Sequence, residues 1–303
     1  MGSALASVGH AWAQAVHVKD TVPVLYPDLG EPYRSAFLQI LSGLEERLSG
    51  RLDRVPLSAQ AEATPLVAEV ARRKPRVVIA LGRSALKSAL QMDCEVVGGA
   101  IVSPGEDAPR IAALLTLAPD PRLLFQRLKT LAPTTRRITV VYSARASGWL
   151  IQAAKDAARL AELELRALEA NDLREALRHY QDFFAQPSAG DSLWLPQDNA
   201  TVDEAAVLPL VIRESWNLNI PVFSSSLVHV RRGVLFSLYP NNAELGRTLG
   251  VTALAVMTRS SPSKGPQTLR DVYAALNTRT ARHLGIDLSP QLQSQYDLLL
   301  PER

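Results

Sequence analysis

Residues 136–143 read RRITVVYS, and residues 147–163 read SGWLIQAAKDAARLAEL. The first is a short β-branched run, a strand ending at a serine. The second spaces its apolar side chains as a helix does. Together they restart a rhythm that the chain has already run through once. Before them, strands are predicted at 21–27, 52–57, 75–82, 94–103 and 112–117. Helices are predicted between these strands, at 31–48, 64–73 and 83–92, and after the last of them at 120–133. Pro32 and Pro65 suit first helical turns. After them, strands at 164–170, 191–196, 220–224 and 233–239 alternate with helices at 172–186, 201–218 and 241–257. The 201–218 helix is predicted to be capped by Thr201 or Asn199.

Alternation of this kind predicts parallel sheets with helices on both faces. Two rounds of it predict an α/β chain of two doubly wound lobes joined by a hinge. The breaks at Ala132-Pro133-Thr134 and near Arg231-Arg232-Gly233 read as crossings. They give a first lobe of 20–132 plus 234–303 and a second of 133–233. The segment SSPSKGPQ at 260–267 reads as a linker. A strand and a short helix-turn-helix tail follow it.

The 303 residues suffice for two ordinary domains. Net charge is only +3, with 33 basic residues interspersed among 30 acidic ones, which argues against a nucleic-acid partner. The single cysteine, Cys94, excludes an internal disulfide and a cysteine-based metal site, and it reads as a buried small hydrophobe. Phosphate-loop, nucleophile-elbow and zincin motifs are absent. The chain is therefore expected not to be an enzyme and to need no cofactor or metal. The stretch SALASVGHAWAQA, with its small-x-small Ala13-Gln14-Ala15, reads as the remnant of a secretory signal over residues 1–15, or as a disordered arm. Export to a periplasm follows from the first reading.

In open parallel sheets, ligands bind beyond the carboxyl ends of the strands. The polar residues at those ends are Tyr26, then Gly82, Arg83 and Ser84, then Ser103 and Ser143. Asp198 and Asn199 follow the strand at 191–196, Ser225 and Ser226 follow the next, and Tyr239 ends the last. Hydroxyls and amides dominate, which suits hydrogen bonding to a polar small molecule more than chemistry. Each hydroxyl before a helix also has an ordinary use as a cap, and Asp198 fits that use equally well. Arg83 at a helix start opposes the helix dipole, which favours an anion nearby. His179 reads as solvated, and His229 as near the cleft or, by preference, part of a surface turn.

Three segments carry a resemblance. LWLPQDNATVDEAAVLPLV, IPVFSSSLVHVRRGVLFSL and AELGRTLGVTALAVM resemble the ABC-transporter substrate-binding family that includes tryptophan- and phenylalanine-binding proteins. The family's P-T-D-N segment corresponds to Pro196-Gln197-Asp198-Asn199, and its I-P-V-F-A-S-D segment to Ile220–Ser226. Its K-R-G-A-L strand corresponds to Arg232-Gly233-Val234-Leu235, and its Leu-Gly-x-x-x-Gly helix to Leu245–Gly250. The tail AALNTRTARHLGIDLSPQL matches the family's usual ending. The likeness spans most of residues 20–300 and is strongest from 190 onward.

The resemblance implies a periplasmic-binding-protein fold, class I-like, that closes on a small-molecule ligand by hinge motion. It implies a monomeric receptor that delivers the ligand to the membrane permease of an ABC importer. A sensory protein on the same fold, docking to a membrane receptor, is the alternative. By position it makes Gly82, Arg83, Ser84, Ser103, Ser143, Asp198, Asn199, Ser225 and Ser226 contact candidates. Two departures matter. Ser226 stands where the family has an aspartate able to pair with an ammonium group. Arg83 stands where the family has a small residue. Both point away from an ordinary amino-acid ligand and towards an anion or another solute.

Overall fold

The computed structural model describes residues 21–58, 64–260 and 265–301, so the expected signal remnant lies outside the described residues. The first round of alternation gives β1 (Val22–Asp28), α1 (Tyr33–Leu48), β2 (Leu52–Ser58), α2 (Thr64–Arg72), β3 (Val77–Leu81), α3 (Arg83–Ala89), β4 (Glu95–Ile101) and β5 (Ala113–Pro119). Then α4 (Pro121–Leu131) leads into the second round. This comprises β6 (Arg137–Tyr142), α5 (Ala144–Leu160), β7 (Glu164–Glu169), α6 (Leu173–Ala185), β8 (Asp191–Leu195), α7 (Val207–Leu218), β9 (Val222–Ser224), α8 (Leu227–Arg232) and β10 (Phe236–Pro240). The chain ends through α9 (Asn242–Met257), β11 (Pro266–Leu269), β12 (Val272–Asn277), α10 (Thr278–His283), α11 (Pro290–Gln293) and β13 (Leu298–Leu300).

Two sheets result. The first has the order β11-β5-β4-β3-β1-β2 and is parallel throughout. The second has the order β13-β12-β10-β9-β8-β6-β7. It is parallel except where β12 runs against β10. Each sheet grows outward from its first strand in the doubly wound 2-1-3-4-5 order, so each has a topological switch point, at β1/β3 and at β6/β8. The expected fold class is the observed one: two parallel-sheet α/β lobes.

The lobe boundaries differ from those expected. Strands β10, β12 and β13 pair in the second sheet, while only α9 and β11 return to the first. Helix α4 packs in the second lobe's core, against α5. The chain therefore crosses three times, near Asp120, Asn241 and Arg270. The crossings are tied together. The Asp120 amide donates to the Leu269 carbonyl (2.8 Å), the Asn241 amide to the Asp271 carbonyl (3.2 Å), and Arg270 Nε lies 3.4 Å from Asp120 Oδ2. Val272 packs against the cores of both lobes. Proline and glycine punctuation marked the wrong places because these crossings are short, ordered strand-to-helix and strand-to-strand joints.

The cores differ in kind. The main core of the first lobe is aliphatic, with Val24, Ile40, Leu44, Ile79, Leu81 and Leu249 all buried. Helices α1 and α9 meet there backbone to backbone. A Cβ on Gly246 would fall 2.1 Å from the Ile40 carbonyl oxygen, and one on Gly43 2.0 Å from that of Ala243. This contact explains the Leu-Gly-x-x-x-Gly pattern: the glycines let two helices touch. Arg247, the residue after Gly246, bridges Glu46 on α1 and Glu244 on its own helix. The second lobe instead stacks aromatics. Phe125 stands edge-on to Trp194 (5.7 Å between centroids), and Phe223 lies parallel to Phe236 at 5.3 Å.

Candidate functional site

The interlobe cleft has a volume of about 750 Å³, within the range of small-molecule sites. Its first-lobe wall consists of Arg83 and the end of β4, Ala100–Ser103. Its second-lobe wall straddles the β6/β8 switch point: Ser143, Arg145 and Ala146 from one side, Pro196–Ala200 from the other. Asn171, Val202, Glu204, Ser226 and His229 complete it. This is where a doubly wound lobe is expected to hold a ligand.

The second-lobe wall is organised by one carboxylate. Asp198 is 1% exposed. Its Oδ2 accepts from the Ser143 amide (2.8 Å), Ser143 Oγ (2.9 Å) and Ser147 Oγ (2.9 Å). Its Oδ1 accepts from the Ala200 amide (3.1 Å). The carboxylate thus clasps the N-terminal turn of α5, where negative charge is favoured by the helix dipole. Ser143 also caps α5 by accepting from the Ala146 amide (3.3 Å). Asp198 is therefore neither a free ligand group nor a cap of α7. That helix begins at Val207, because Asp198 and Asp203 fold the intervening residues into turns. Asp203 Oδ1 accepts from the amides of Ala205 and Ala206. Asn199, next in sequence, is exposed and stands on the cleft wall.

Beside this clasp, Gln197 Oε1 is buried with no hydrogen-bond partner among the described residues. His229 is buried, with Nδ1 2.7 Å from Ser224 Oγ. Burial lowers its pKa, keeping the imidazole neutral, against a smaller opposing pull from Glu204. The expected surface turn is instead helix α8. Arg231 and Arg232 made the segment look exposed, whereas only their side of the helix is.

The first-lobe wall is sparser. Arg83 is exposed, and its guanidinium donates to the Ser103 carbonyl (2.5 Å), joining the start of α3 to the loop after β4. Ala100 adopts a left-handed backbone (φ +56°), at the irregularity where β4 shifts register against β5. Such a conformation in a residue with a side chain is strained.

Of the residues predicted for the site, Arg83, Ser103, Ser143, Asp198, Asn199 and Ser226 come together in the cleft. Tyr26, Gly82, Ser84, Ser225 and Tyr239 are not part of its lining. Tyr26 packs on the first-lobe core. Gly82 (φ +81°) has Pro27 and Phe37 within 3.8 Å of the place its Cβ would take, so the first lobe's own switch point is filled. Ser84 is exposed. Ser225 accepts from Trp194 Nε1 (3.2 Å) and is spent on the core. Tyr239 packs against Tyr273 at the far side of β10. Asn171 was missed although it follows β7, and the strand-end rule applied there would have found it. Glu204 had no such signal, because it lies within a predicted helix.

The comparisons with known proteins agree with this geometry. Residues 123–297, more than half of the chain, match the family described as ABC transporter substrate binding protein. The chain belongs to that family. No curated protein matches it in sequence. Among solved structures, the ligand-free, open form of a substrate binding protein with adhesive properties from Clostridium difficile superposes with a TM-score of 0.64. Identity is 17%, covering 92% of this chain and 98% of that one. An ABC domain from Streptococcus pneumonia in complex with L-Trp gives 0.56 at 17% identity, covering 92% and 99%. A periplasmic ribose ABC transporter structure from Conexibacter woesei gives 0.53 at 14%, covering 87% and 94%. The fold is the two-lobed, class I-like fold of periplasmic binding proteins. No helix among the described residues is long and apolar enough to cross a membrane.

Proposed function

We propose that the protein is a monomeric periplasmic receptor that captures a small polar or anionic organic molecule between its lobes for an ABC importer. The observation that carries this reading is the cleft itself: two strand-end walls face each other across a space of small-molecule size. Family membership supports an ABC importer as the partner. The L-Trp complex and the ribose transporter structure share only 17% and 14% identity with this chain, so neither fixes its ligand.

The wall chemistry supports an acidic or strongly polar ligand. Arg83 from one lobe and Arg145 from the other supply guanidinium groups suited to a carboxylate. Asn199, Ser103 and Ser226 supply neutral hydrogen bonds, and the unpaired Gln197 Oε1 accepts one. With Ser226 in place of an aspartate, the cleft lacks one carboxylate for an ammonium group. Asp198 acts as a positioning residue that fixes Ser143 and Asn199. Closure turns on the three tied crossings, in the manner of hinged binding proteins. Binding requires no cofactor and no chemical step.

A thermal-shift screen of the purified protein against amino acids, organic acids, nucleosides and sugars tests the reading. A ligand that binds only the folded state raises the midpoint by mass action. Stabilisation by a class containing acids is the expected result. A flat response to every class contradicts a receptor role.

A further inference from the structure

A second concavity of about 640 Å³ lies on the second lobe. Its apolar lining includes Ile212 and Trp216 of α7 and Leu300 of β13. Around it stand Arg231 and Arg232 at the end of α8 and Arg279 of α10. Strand directions place it away from the interlobe cleft. Helix α8 carries the chain back from the cleft end of β9 to the start of β10. Leu276 pairs with Phe236 at that start, and Leu300 pairs with Asn277 beside it. The concavity therefore sits at the opposite end of the sheet from the ligand cleft.

Its charge is unbalanced. Arg213, also on its rim, is paired with Glu214 (2.8 Å). Arg231, Arg232 and Arg279 have no carboxylate partner among the described residues, and all three are exposed. All three line the same concavity, and part of its apolar lining is held in place. The indole of Trp216 stacks on His283 at 3.6 Å between centroids, and His283 Nε2 lies 2.8 Å from the Trp216 carbonyl. Arg279 stands 5.6 Å from the Trp216 ring centroid. Arginines in this setting bind planar anions in bidentate fashion. An apolar floor adds affinity for a hydrocarbon or aromatic body. The volume fits a small molecule, while a single concavity of this size falls short of the area a stable protein partner covers.

We propose that this concavity is a second ligand site, taking an amphipathic organic anion: an apolar body ending in a carboxylate. The site belongs to one lobe, so its occupancy does not depend on closure of the cleft.

The test is titration calorimetry of the whole protein with dodecanoate below its micelle concentration, with 1-dodecanol as the uncharged control. Expected is saturable binding of dodecanoate. It weakens by about tenfold or more in the Arg231→Ala/Arg232→Ala/Arg279→Ala variant, as loss of charge-assisted hydrogen bonds dictates. It is unchanged in the cleft variant Arg83→Ala. The single variant Arg279→Glu, with circular dichroism as the fold check, repeats the test should the triple variant unfold. The proposal is overturned by absence of saturable binding, by equal affinity for the alcohol, or by unchanged affinity in the arginine variants. Loss of binding in Arg83→Ala also overturns it, by moving the ligand to the cleft. So does arginine-dependent binding to phosphatidylglycerol vesicles without binding of free dodecanoate, which assigns the patch to a membrane surface.

Discussion

The two lobes share a strand order and differ in how they are finished. The second lobe is built from stacked aromatics, and its cleft wall is tied down by a buried carboxylate with four close donors. The first lobe is aliphatic, held by a glycine-lined helix contact, and its wall offers an exposed arginine and a strained strand end. The difference assigns them separate tasks. Under the proposed function, the second lobe would serve as the preformed platform for a ligand, and the first as the half that closes over it.

The largest expected effect is at the platform. Asp198→Ala removes the acceptor of four close hydrogen bonds and leaves the hydroxyls of Ser143 and Ser147 buried without it. A loss of about 3 kcal/mol or more is expected in urea denaturation, together with loss of ligand binding. A stable variant that still binds would dissolve the distinction between the lobes.

Next is a glycine pair of opposite sign. Gly246→Ala drives a methyl into the Ile40 carbonyl and should cost about 2–3 kcal/mol. Gly148→Ala, in α5 of the second lobe, meets nothing closer than Ala144 Cβ at 3.9 Å. It should stabilise by about 0.5–1 kcal/mol, the helix-propensity gain of alanine. Denaturation midpoints of the two variants measure both. Equal effects would show that the helix contact in the first lobe is looser than described.

Asn199→Ala separates the wall from its foundation. Affinity should fall about tenfold, while stability stays within about 0.5 kcal/mol, as for an exposed side chain. Unchanged affinity removes Asn199 from the cleft.

The smallest effect is a pH dependence. Burial lowers the His229 pKa below its unfolded value. The unfolded chain then binds the proton more readily. The stability due to neutral burial is full above the unfolded pKa, about 6.5, and is lost as pH falls through the folded one. Wild-type stability should decline from pH 7 towards pH 5 more steeply than that of His229→Gln. Identical slopes would mean that the imidazole is solvated.

Much of the fold was legible in the sequence because parallel strands buried on both faces write continuous apolar runs, as VVIAL and, more briefly, LWL do. The edge strands β11 and β13 were not. They have four and three residues, and only their neighbours make them strands. The lobe crossings left no compositional mark. At the site, strand-end polarity picked out Arg83, Ser143 and the 197–199 turn, which the structure brings together in the cleft lining. It could not tell a side chain facing the cleft from one facing the core, which is why Ser225 stood beside Ser226. Nor did it show that Asp198 was already satisfied.

The most direct test of the central claim is titration calorimetry with the acid or polar solute that gives the largest thermal shift. Wild type is compared with the Arg83→Ala/Asn199→Ala variant, which removes one contact from each wall. The account predicts saturable binding to wild type, weakened at least tenfold in a variant that remains folded. Equal affinity in the two proteins would contradict it, because the solute would then bind outside the interlobe cleft.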